Sequence, residues 1–559
     1  MNMRAFWWIA LAFTAMWIWF EWMKFSAPEP VQTDVAAIES QQADIPSANM
    51  SAPGDANVQQ GDQAVPQAAT GLQQGQRIQV KTDTLLLEID TLGGDIRDAK
   101  MLQHGMPNDH DTPFHLMSDR GQLNYVAQNG LAVTPDSALP APTHKSIYQA
   151  QNTRYELVGD ELRVPMVWSE NGVEVTKTYV FKKGSYLIDV EYEVKNNGDQ
   201  AWSGSLYSQF VRTAYDPYSS AMMYTYTGPV YYDHHNEDTK YNKISFEDIA
   251  TKSLDNHPVQ GGWAAMIQHY FVTAVVPHQE VVNHYYAKPL SQGRYSIGVV
   301  EPSVQIAAGE TKLLTSQLYI GPTEQNVLKD IAPGLEKTID YGMFTILAEP
   351  LFWLLNIINN FIGNWGWSII ILTILIKLAF YKLSETSYRS MARLRKFQPK
   401  LKQLKENYGD DKALFQQKMM KLYREEKINP LGGCLPILVQ MPVFIALYWV
   451  LIYSVEMRQA EWMLWITDLS AKDPYFILPV LMGITMWIQQ KLNPTAMMDE
   501  MQQKVMKLLP FIFTIFFMWF PAGLVLYWLM NNILSVAQQW YITRKIEAGE
   551  EKEKAASKA

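Results

Sequence analysis

The feature that most restricts how this chain can fold is a set of long apolar segments in its last third. They contain 13 to 19 residues, and a helix needs about 20 to cross a bilayer. The five segments are 365–381, 435–453, 475–490, 508–520 and 524–542. A sixth apolar segment, 5–25, lies near the start and is interrupted only by Glu21 and Lys24. We therefore predict a polytopic α-helical membrane protein with six transmembrane helices.

The first apolar segment and the polar stretch after it predict an anchor and a tether. A cleaved signal peptide is the alternative for residues 1–25, but the run is long and rich in tryptophan, and Pro28 follows the candidate cleavage edge. We favour an uncleaved transmembrane anchor. Residues 26–76 contain no Lys, Arg or aromatic residue, so they cannot bury enough apolar surface to fold. They are predicted to be a disordered periplasmic linker.

Residues 77–325 change to the period of two that is typical of β-strands. In 187–195, apolar side chains alternate with charged ones, as in a half-buried antiparallel strand. Asn171-Gly172 lies between two such runs and predicts a hairpin, and Asn197-Gly198 marks another turn. The only cysteine, Cys434, lies outside this region, so no disulfide supports it. We predict a large periplasmic all-β sandwich domain.

All ten histidines, from His104 to His284, lie within the predicted β-domain. None has the spacing of a known metal-binding motif, and the adjacent His234-His235 pair is a weak signal. We therefore interpret them as surface histidines and predict no metal and no cofactor.

Residues 340–363 are apolar on one side but also carry Glu349, Pro350 and three asparagines. The segment either spans the bilayer or lies flat on it. A span here would place the following basic loop outside the cell, against the positive-inside rule. We therefore predict an interfacial amphipathic helix, followed at 364–542 by a core of five transmembrane helices.

Positive charge sets the predicted orientation. The loop 382–427 is rich in Lys and Arg, whereas the loop 454–474 contains only Arg458 and Lys472. Basic loops remain on the cytoplasmic side. The β-domain is then outside, and both termini, including the charged tail 543–559, are cytoplasmic.

The basic loop is also organised. Within 384–428, the helices 385–407 and 411–426 are predicted to form an αα-hairpin with a cationic outer face. Its basic residues include Arg389, Arg393, Arg395, Lys396, Lys400, Lys402 and Lys405. One interpretation is a solvated topology signal on anionic lipid, and the other adds contact with ribosomal RNA or an acidic nascent segment.

Lys377 lies inside an apolar run, twelve residues after Trp365 and so roughly 18 Å along a helix. A charge at such a depth costs on the order of 2.5 to 3.5 kcal/mol unless it reaches water or a partner. Lys377 either extends toward the headgroups or faces a wet cavity. Polar residues on the other segments favour the cavity, and no acid or histidine accompanies them. These residues are Thr373, Gln440, Asn532, Ser535 and Gln539.

Several motifs resemble those of the YidC family of membrane protein insertases, in the long form with a periplasmic domain. They are GNWGWS at 363–368, NPLGGC at 429–434, QMP at 440–442, LSA at 469–471, DP at 473–474 and FPAGLVLYW at 520–528. They occur in the family's order, and the resemblance covers essentially the whole chain.

The resemblance implies an insertase and chaperone of the bacterial inner membrane that acts alone or with the Sec translocon. Its core encloses a positively charged hydrophilic groove, which here comprises Lys377, Thr373, Gln440, Trp528, Asn532, Ser535 and Gln539. The implied partners are nascent membrane proteins, the ribosome, Sec translocon components and lipids, but not DNA, and no enzymatic activity is implied. The usual groove residue is Arg. Lysine keeps the charge but cannot make the bidentate hydrogen bonds of a guanidinium group. A second departure is Lys382, which replaces a proline seen in relatives.

Two other functions remain open from the residues. A membrane-anchored carbohydrate-binding or carbohydrate-processing protein would use the β-domain, and a small-solute transporter would use Lys377. Removing residues 80–310 distinguishes them, because an insertase largely survives the deletion and a carbohydrate enzyme does not.

The charge asymmetry gives a testable topology. In a Cys434→Ser background, Lys405→Cys should resist an impermeant thiol reagent in intact spheroplasts, because the basic loop is cytoplasmic. Asp160→Cys in the β-domain should react. Labelling of position 405 from outside would show that the predicted orientation is wrong.

Overall fold

The structure is a computed structural model that describes Pro46 and residues 72–107, 109–218, 225–234, 240–251, 253–408, 411–425, 435–492 and 500–556. For some helical residues it describes the backbone alone. The chain forms two compact units, one ending at Ile339 and one beginning at Asp340. The predicted anchor 1–25 lies outside the described residues, as does the predicted linker apart from Pro46 and residues 72–76.

The first unit is a β-sandwich. Its strands are β1 (Arg77–Lys81), β2 (Leu85–Asp90), β3 (Asp95–Met106), β4 (Asp109–Ser118), β5 (Tyr125–Val133), β6 (Gln149–Ala150), β7 (Arg154–Glu156), β8 (Glu161–Glu170), β9 (Val173–Lys182), β10 (Leu187–Asn196), β11 (Trp202–Thr213), β12 (Gly228–Tyr232), β13 (Tyr241–Lys243), β14 (Leu254–Gln260), β15 (Trp263–Gln268), β16 (Phe271–Val276), β17 (Val282–Leu290), β18 (Arg294–Val300), β19 (Val304–Ile306) and β20 (Thr311–Pro322). Short helices α1 (Phe246–Thr251) and α2 (Gln325–Ile331) accompany them.

Within the described residues, the strands form a sheet of eleven and a sheet of nine. The larger sheet has the order β14-β17-β18-β11-β5-β4-β3-β2-β1-β7, with β19 paired to β11. The smaller has the order β13-β12-β15-β16-β20-β10-β9-β8-β6. Apolar side chains of both sheets meet in one hydrophobic core, so the predicted sandwich is confirmed.

Local sequence explains the β8–β10 meander. Asn171 and Gly172 both have positive φ, 47° and 82°, as a two-residue hairpin turn requires. Along β10, the alternate side chains from Ile188 to Val194 are fully buried and those between them are not. The predicted turn at Asn197-Gly198 leads from β10 in the smaller sheet to β11 in the larger one.

Lys177 is fully buried between the two sheets. Its Nζ donates hydrogen bonds to the carbonyl oxygens of Gly93 (3.0 Å), Gly94 (2.8 Å) and Asn129 (3.3 Å). These bonds use all three donors of the ammonium group. Burial lowers the pKa of Lys177 to about 7, because the charged form loses its hydration.

His144 corrects the expectation that the histidines lie on the surface, because only 5% of it is exposed. The Tyr207 hydroxyl accepts a hydrogen bond from the His144 backbone N (3.0 Å) and shares another with Nδ1 (2.7 Å). Loss of hydration disfavours the charged ring in this buried position. Burial accordingly lowers the pKa of His144 to about 3. The expectation of no metal is not tested by this arrangement.

The second unit is helical. A 3-10 turn (Gly342–Phe344) leads into α3 (Thr345–Ile362), and the remaining helices are α4 (Trp365–Ala379), α5 (Tyr381–Lys396), α6 (Gln398–Tyr408), α7 (Lys412–Glu425), α8 (Leu435–Tyr453), α9 (Ile477–Leu492), α10 (Glu500–Phe517) and α11 (Ala522–Ala556). The helix α11 packs against α4, α5 and α9, whereas α3 packs against α4 and α8.

The predicted helix 385–407 is wrong as a single element, because the chain breaks at Phe397 between α5 and α6. Pro399 lies in the first turn of α6, where its missing N–H removes no helical hydrogen bond. Proline also disfavours the helical conformation of the residue before it, which favours a helix boundary here. Leu401 of α6 and Tyr423 of α7 are buried together, with Phe397, Met419 and Leu422 against them. These contacts pack α6 against α7.

The count of six crossings is not confirmed. Among the described helices, Gly342–Ile362 alone is long and apolar enough by itself to cross a membrane. Trp365–Ala379 and Tyr381–Ser390 satisfy the same criterion together but are bent by 63°, and Val439–Tyr453 is apolar but shorter. In α3, the side chains of Ile346, Trp353 and Phe361 are 65–86% exposed. This apolar face suits lipid whether α3 spans or lies flat, so its interfacial position remains a prediction.

The loop 454–476, hereafter the outer loop, binds the N-termini of two helices. Asp473 Oδ2 accepts a hydrogen bond from Leu478 N (2.7 Å) in the first turn of α9. Ala522 N and Gly523 N, at the start of α11, donate to the carbonyls of Ala471 (2.7 Å) and Leu469 (2.9 Å). The loop thus satisfies amide groups that have no partner within their own helices.

A third helix terminus is joined to the same loop. Asn364 Oδ1 accepts a hydrogen bond from Trp367 N (3.1 Å) and so caps α4. Asn364 Nδ2 donates to the carbonyls of Glu461 (3.0 Å) and Trp462 (3.1 Å). One asparagine therefore begins α4 and fastens the outer loop to it.

The state of His144 predicts a pH dependence of the β-domain. Between pH 6.5 and about 3, the unfolded chain binds a proton at His144 that the folded chain does not. The free energy of unfolding should therefore fall on acidification, by up to about 1.4 kcal/mol per pH unit. His144→Asn keeps a hydrogen-bonding group for Tyr207 but cannot titrate, so this dependence should weaken. Hydrogen exchange of β5 and β11 in urea, with the full chain in detergent, measures it.

His278 provides a control of opposite sign. Its ring is half exposed, and its hydrogen bond with Glu301 raises the pKa. Protonation of His278 thus stabilises the folded domain, and His278→Asn should make the loss of stability in acid slightly steeper. Equal acid dependence in wild type and His144→Asn would contradict a buried neutral His144.

Candidate functional site

Three helices meet at Lys377. Its Nζ, near the end of α4, donates a hydrogen bond to Ser535 Oγ of α11 (2.7 Å) and another to Gln440 Oε1 of α8 (3.2 Å). The sequence had predicted these three residues to share one site, and the structure brings them into direct contact. Their polar atoms satisfy two of the three donors of the ammonium group.

A further polar residue, Asn531, holds both acceptors in place. Gln440 Nε2 donates a hydrogen bond to Asn531 Oδ1, and Ser535 Oγ donates to the Asn531 carbonyl (2.7 Å). With its amide nitrogen engaged, Gln440 presents its oxygen to Lys377. With its proton directed to the backbone, Ser535 presents a lone pair. Asn531 therefore orients the neutral oxygens that surround the charge.

No carboxylate neutralises Lys377 within its own helix or within α8, since neither segment contains Asp or Glu. The first acid of α11 is Glu547, three turns beyond Ser535. A cavity of about 10 Å³, room for about one water molecule, adjoins the ammonium group. Its other walls include Phe380 and Ser384, at the bend between α4 and α5. The third donor of Lys377 is thus available to water or to a polar ligand atom.

The other residues predicted to line the groove have varied surroundings. Thr373 is buried, and its hydroxyl donates to the Ile369 carbonyl of its own helix (2.6 Å). Asn532 is buried, and its Nδ2 has no partner among the described residues. Gln539 is also buried and donates to the Leu492 carbonyl at the end of α9 (3.2 Å).

Trp528 lies in an aromatic cluster. Its ring centroid is 4.4 Å from that of Phe444, 5.1 Å from Phe517 and 6.1 Å from Phe513. These rings come from α8 and α10, so Trp528 packs three helices together. The structure therefore places aromatic rings against Trp528, and its role in the groove, which the family resemblance implies, stays a prediction.

The predicted cationic residues lie on α5 and α6. Arg389 forms an ion pair with Glu385 one turn away (2.7 Å). Lys400 is exposed, with Nζ 5.2 Å from the centroid of the Phe397 ring. Only the backbone is described for the others, which are Arg393, Arg395, Lys396, Lys402 and Lys405.

The second unit is a helical protein unit with a lysine held among neutral oxygens, and known proteins share the sequence of the chain. Residues 77–354 match the family described as "YidC periplasmic domain", and residues 357–551 match "60Kd inner membrane protein". A membrane protein insertase YidC of Thioalkalivibrio sulfidiphilus is 50% identical, covering 98% of this chain and 99% of the relative. One of Methylobacillus flagellatus is 48% identical, covering 98% of each.

A solved structure titled "Active YidC insertase crystal structure with the first transmembrane domain resolved" is 18% identical and covers 84% of this chain and 94% of that one, with a TM-score of 0.39. The sequence relatives, not this structure, establish the relationship. The chain belongs to the YidC family of membrane protein insertases. Relatives of this family are named as insertases, which is a non-enzymatic function, and they imply an inner membrane protein with a periplasmic domain.

Two adjacent asparagines test the geometry of the site. Asn531→Ala should lower the stability of the full chain in detergent by about 0.5 to 2 kcal/mol, because Gln440 loses its acceptor. Asn532→Ala is a matched control, since its Nδ2 has no partner among the described residues. Thermal unfolding measures both. An equal loss from both substitutions would mean that the Gln440–Asn531 bond contributes nothing.

Proposed function

We propose that this chain inserts, folds and helps to assemble membrane proteins in the bacterial inner membrane, using a hydrophilic intramembrane groove centred on Lys377. One observation carries the proposal. An ammonium group lies among three apolar helices with two neutral oxygen acceptors and no carboxylate from α4 or α8. Such a site retains the positive charge that attracts an acidic or strongly polar segment of a passenger.

The mechanism needs no chemical step. A polar flank of the passenger exchanges its water for the third donor of Lys377 and for the amide and hydroxyl groups around it. Each charged residue placed at the bilayer centre without such help costs on the order of 2.5 to 3.5 kcal/mol. Transfer of the adjoining apolar helix into lipid supplies the driving force, at about 25 cal/mol per Å² of apolar surface.

The cytoplasmic hairpin is proposed to receive the passenger. Leu401 and Tyr423 pack α6 on α7, which leaves exposed lysines such as Lys400 and Lys418 for anionic partners. We propose the ribosome and acidic nascent segments as those partners, with both termini of the chain on the same cytoplasmic side. In this proposal the β-domain 77–325 is periplasmic, the helix 340–363 is interfacial, and the core 364–542 acts alone or beside Sec translocon components.

Substitutions of Lys377 test the groove. Lys377→Arg should be tolerated, since it keeps the charge and provides additional donors. Lys377→Ala should reduce insertion of substrates with acidic flanks on the order of tenfold, equivalent to ~1.4 kcal/mol, with a smaller effect on short neutral flanks. Lys377→Glu should be worst, because it repels acidic flanks. Protease protection of matched substrates, which differ only in the flank, measures insertion.

Lys491→Ala is a control for the loss of a lysine at a helix end. Lys491 is exposed at the end of α9, with Nζ 3.5 Å from the centroid of the Trp487 ring, so it resembles a lysine that only reaches the headgroups. It should not distinguish acidic from neutral flanks. If Lys377→Ala behaved like Lys491→Ala on both substrates, the groove function would be refuted and Lys377 would only anchor its helix.

A further inference from the structure

The outer loop contains a tight turn with an apolar tip. Ile466 N donates a hydrogen bond to the Met463 carbonyl (3.2 Å), and Trp462 N donates to the Ile466 carbonyl (3.0 Å). The tip consists of Met463 and Leu464, which are 39% and 76% exposed. Leu464 is thus the most exposed large apolar side chain of this loop among the residues described. A turn that faces water usually carries small polar residues at such a tip.

The backbone of this tip is strained at Leu464. Leu464 has a φ of +55°, a conformation that costs a residue with a Cβ roughly 1 to 2 kcal/mol. Glycine or asparagine would adopt it with less strain and would expose less apolar surface. Complete burial of a leucine side chain contributes about 1.5 to 3 kcal/mol, which is enough to offset the strain. Burial of the tip would therefore compensate for the backbone strain at Leu464.

The base of the turn is held rigidly against α4. The Trp462 ring lies so close to Gly366 that a Cβ there would be 2.2 Å from Trp462 Cδ1. Asn364 holds the carbonyls of Glu461 and Trp462 at the same helix end. The position of the tip relative to α4 is therefore set by direct contacts and by the absence of a side chain at Gly366.

The residue types at the beginning of α4 indicate the level of the tip in the bilayer. This apolar helix has 15 residues, about 22 Å, whereas the hydrocarbon core is about 30 Å thick, and the chain then bends by 63°. This length does not decide which end of α4 lies nearer an interface, but the residue types at its beginning do. Trp367 and Trp462, whose ring centroids are 5.8 Å apart, are of the residue type enriched at that level.

We infer that the Met463–Leu464 tip inserts into the acyl-chain boundary of the lipid leaflet at this end of the bundle. The bilayer is the partner that covers the tip. Because the turn is fastened to Asn364, and Lys377 lies thirteen residues further along α4, insertion also sets the depth of the charged site, roughly 20 Å from the turn. The turn is a depth anchor for the groove, and its insertion does not depend on what the groove binds.

Spin labelling of the full chain tests this inference. In a Cys434→Ser background, the label is attached at Met463→Cys or at Thr467→Cys, an exposed polar position of the same loop. The proteins are reconstituted in vesicles of phosphatidylethanolamine and phosphatidylglycerol. Electron paramagnetic resonance then compares collisions with oxygen, which concentrates in lipid, and with a water-soluble nickel complex. We expect a several-fold higher oxygen-to-nickel ratio at position 463 than at 467.

A second substitution assigns the insertion to the leucine. Leu464→Asn keeps a residue that tolerates positive φ, so the turn should remain folded while the label at 463 moves toward water. Leu464→Met, the matched control, keeps an apolar side chain and should keep the high ratio. Thermal unfolding verifies that each variant is folded, and Leu464→Gly replaces Leu464→Asn if the latter unfolds. Equal ratios at 463 and 467, or no effect of Leu464→Asn or its replacement, would overturn the inference.

Discussion

The helical unit depends on how it accommodates the buried ammonium group of Lys377, which has no carboxylate beside it among the residues that the structure describes. A carboxylate from a neighbouring helix would stabilise Lys377 but would also neutralise it, and an incoming acidic segment would have to displace that partner. Neutral oxygens stabilise the charge less and leave it available. The hydrogen bonds that the Gln440 amide and the Ser535 hydroxyl donate to Asn531 therefore orient both side chains. They keep two acceptors directed at the lysine while its net charge persists.

The outer loop imposes a complementary constraint at the opposite end of α4. Backbone amides of α9 and α11 donate to the loop, and Asn364 joins it to α4. Separation of these helices at that end would break several hydrogen bonds, each contributing about 0.5 to 1.5 kcal/mol. By contrast, the contacts of Lys377 are made by side chains, which exchange partners without moving a helix. The helices are thus joined by backbone hydrogen bonds at the loop and by side-chain hydrogen bonds at the charge.

Much of this arrangement could be predicted from the sequence. The alternation of 187–195 and the Asn171-Gly172 turn specify β-structure locally. Polar residues within apolar segments are expected to face one another, which predicts that Lys377, Gln440 and Ser535 share a site. The sequence does not show that Asn531, rather than the adjacent Asn532, contacts Gln440. This depends on the rotation of α11 about its axis, which packing against α4 and α9 determines. The aromatic partners of Trp528 were not predicted for a similar reason, since Phe444 and Phe517 are recognisable as such only once α8 and α10 are packed. Likewise, the burial of His144 depends on Tyr207, which is 63 residues away.

The hydrogen bonds of Lys177 have a consequence for the chemistry of the compartment in which the β-domain folds. This lysine of β9 joins the smaller sheet to the backbone around β2, β3 and β5 of the larger one, as a cross-link between sheets would. A disulfide at such a place requires an oxidant when the domain folds and is lost to reductants. The lysine requires only three carbonyl oxygens, and its hydrogen bonds form again each time the domain refolds. The two sheets are therefore joined independently of the thiol–disulfide balance around them, in a domain that contains no cysteine of its own.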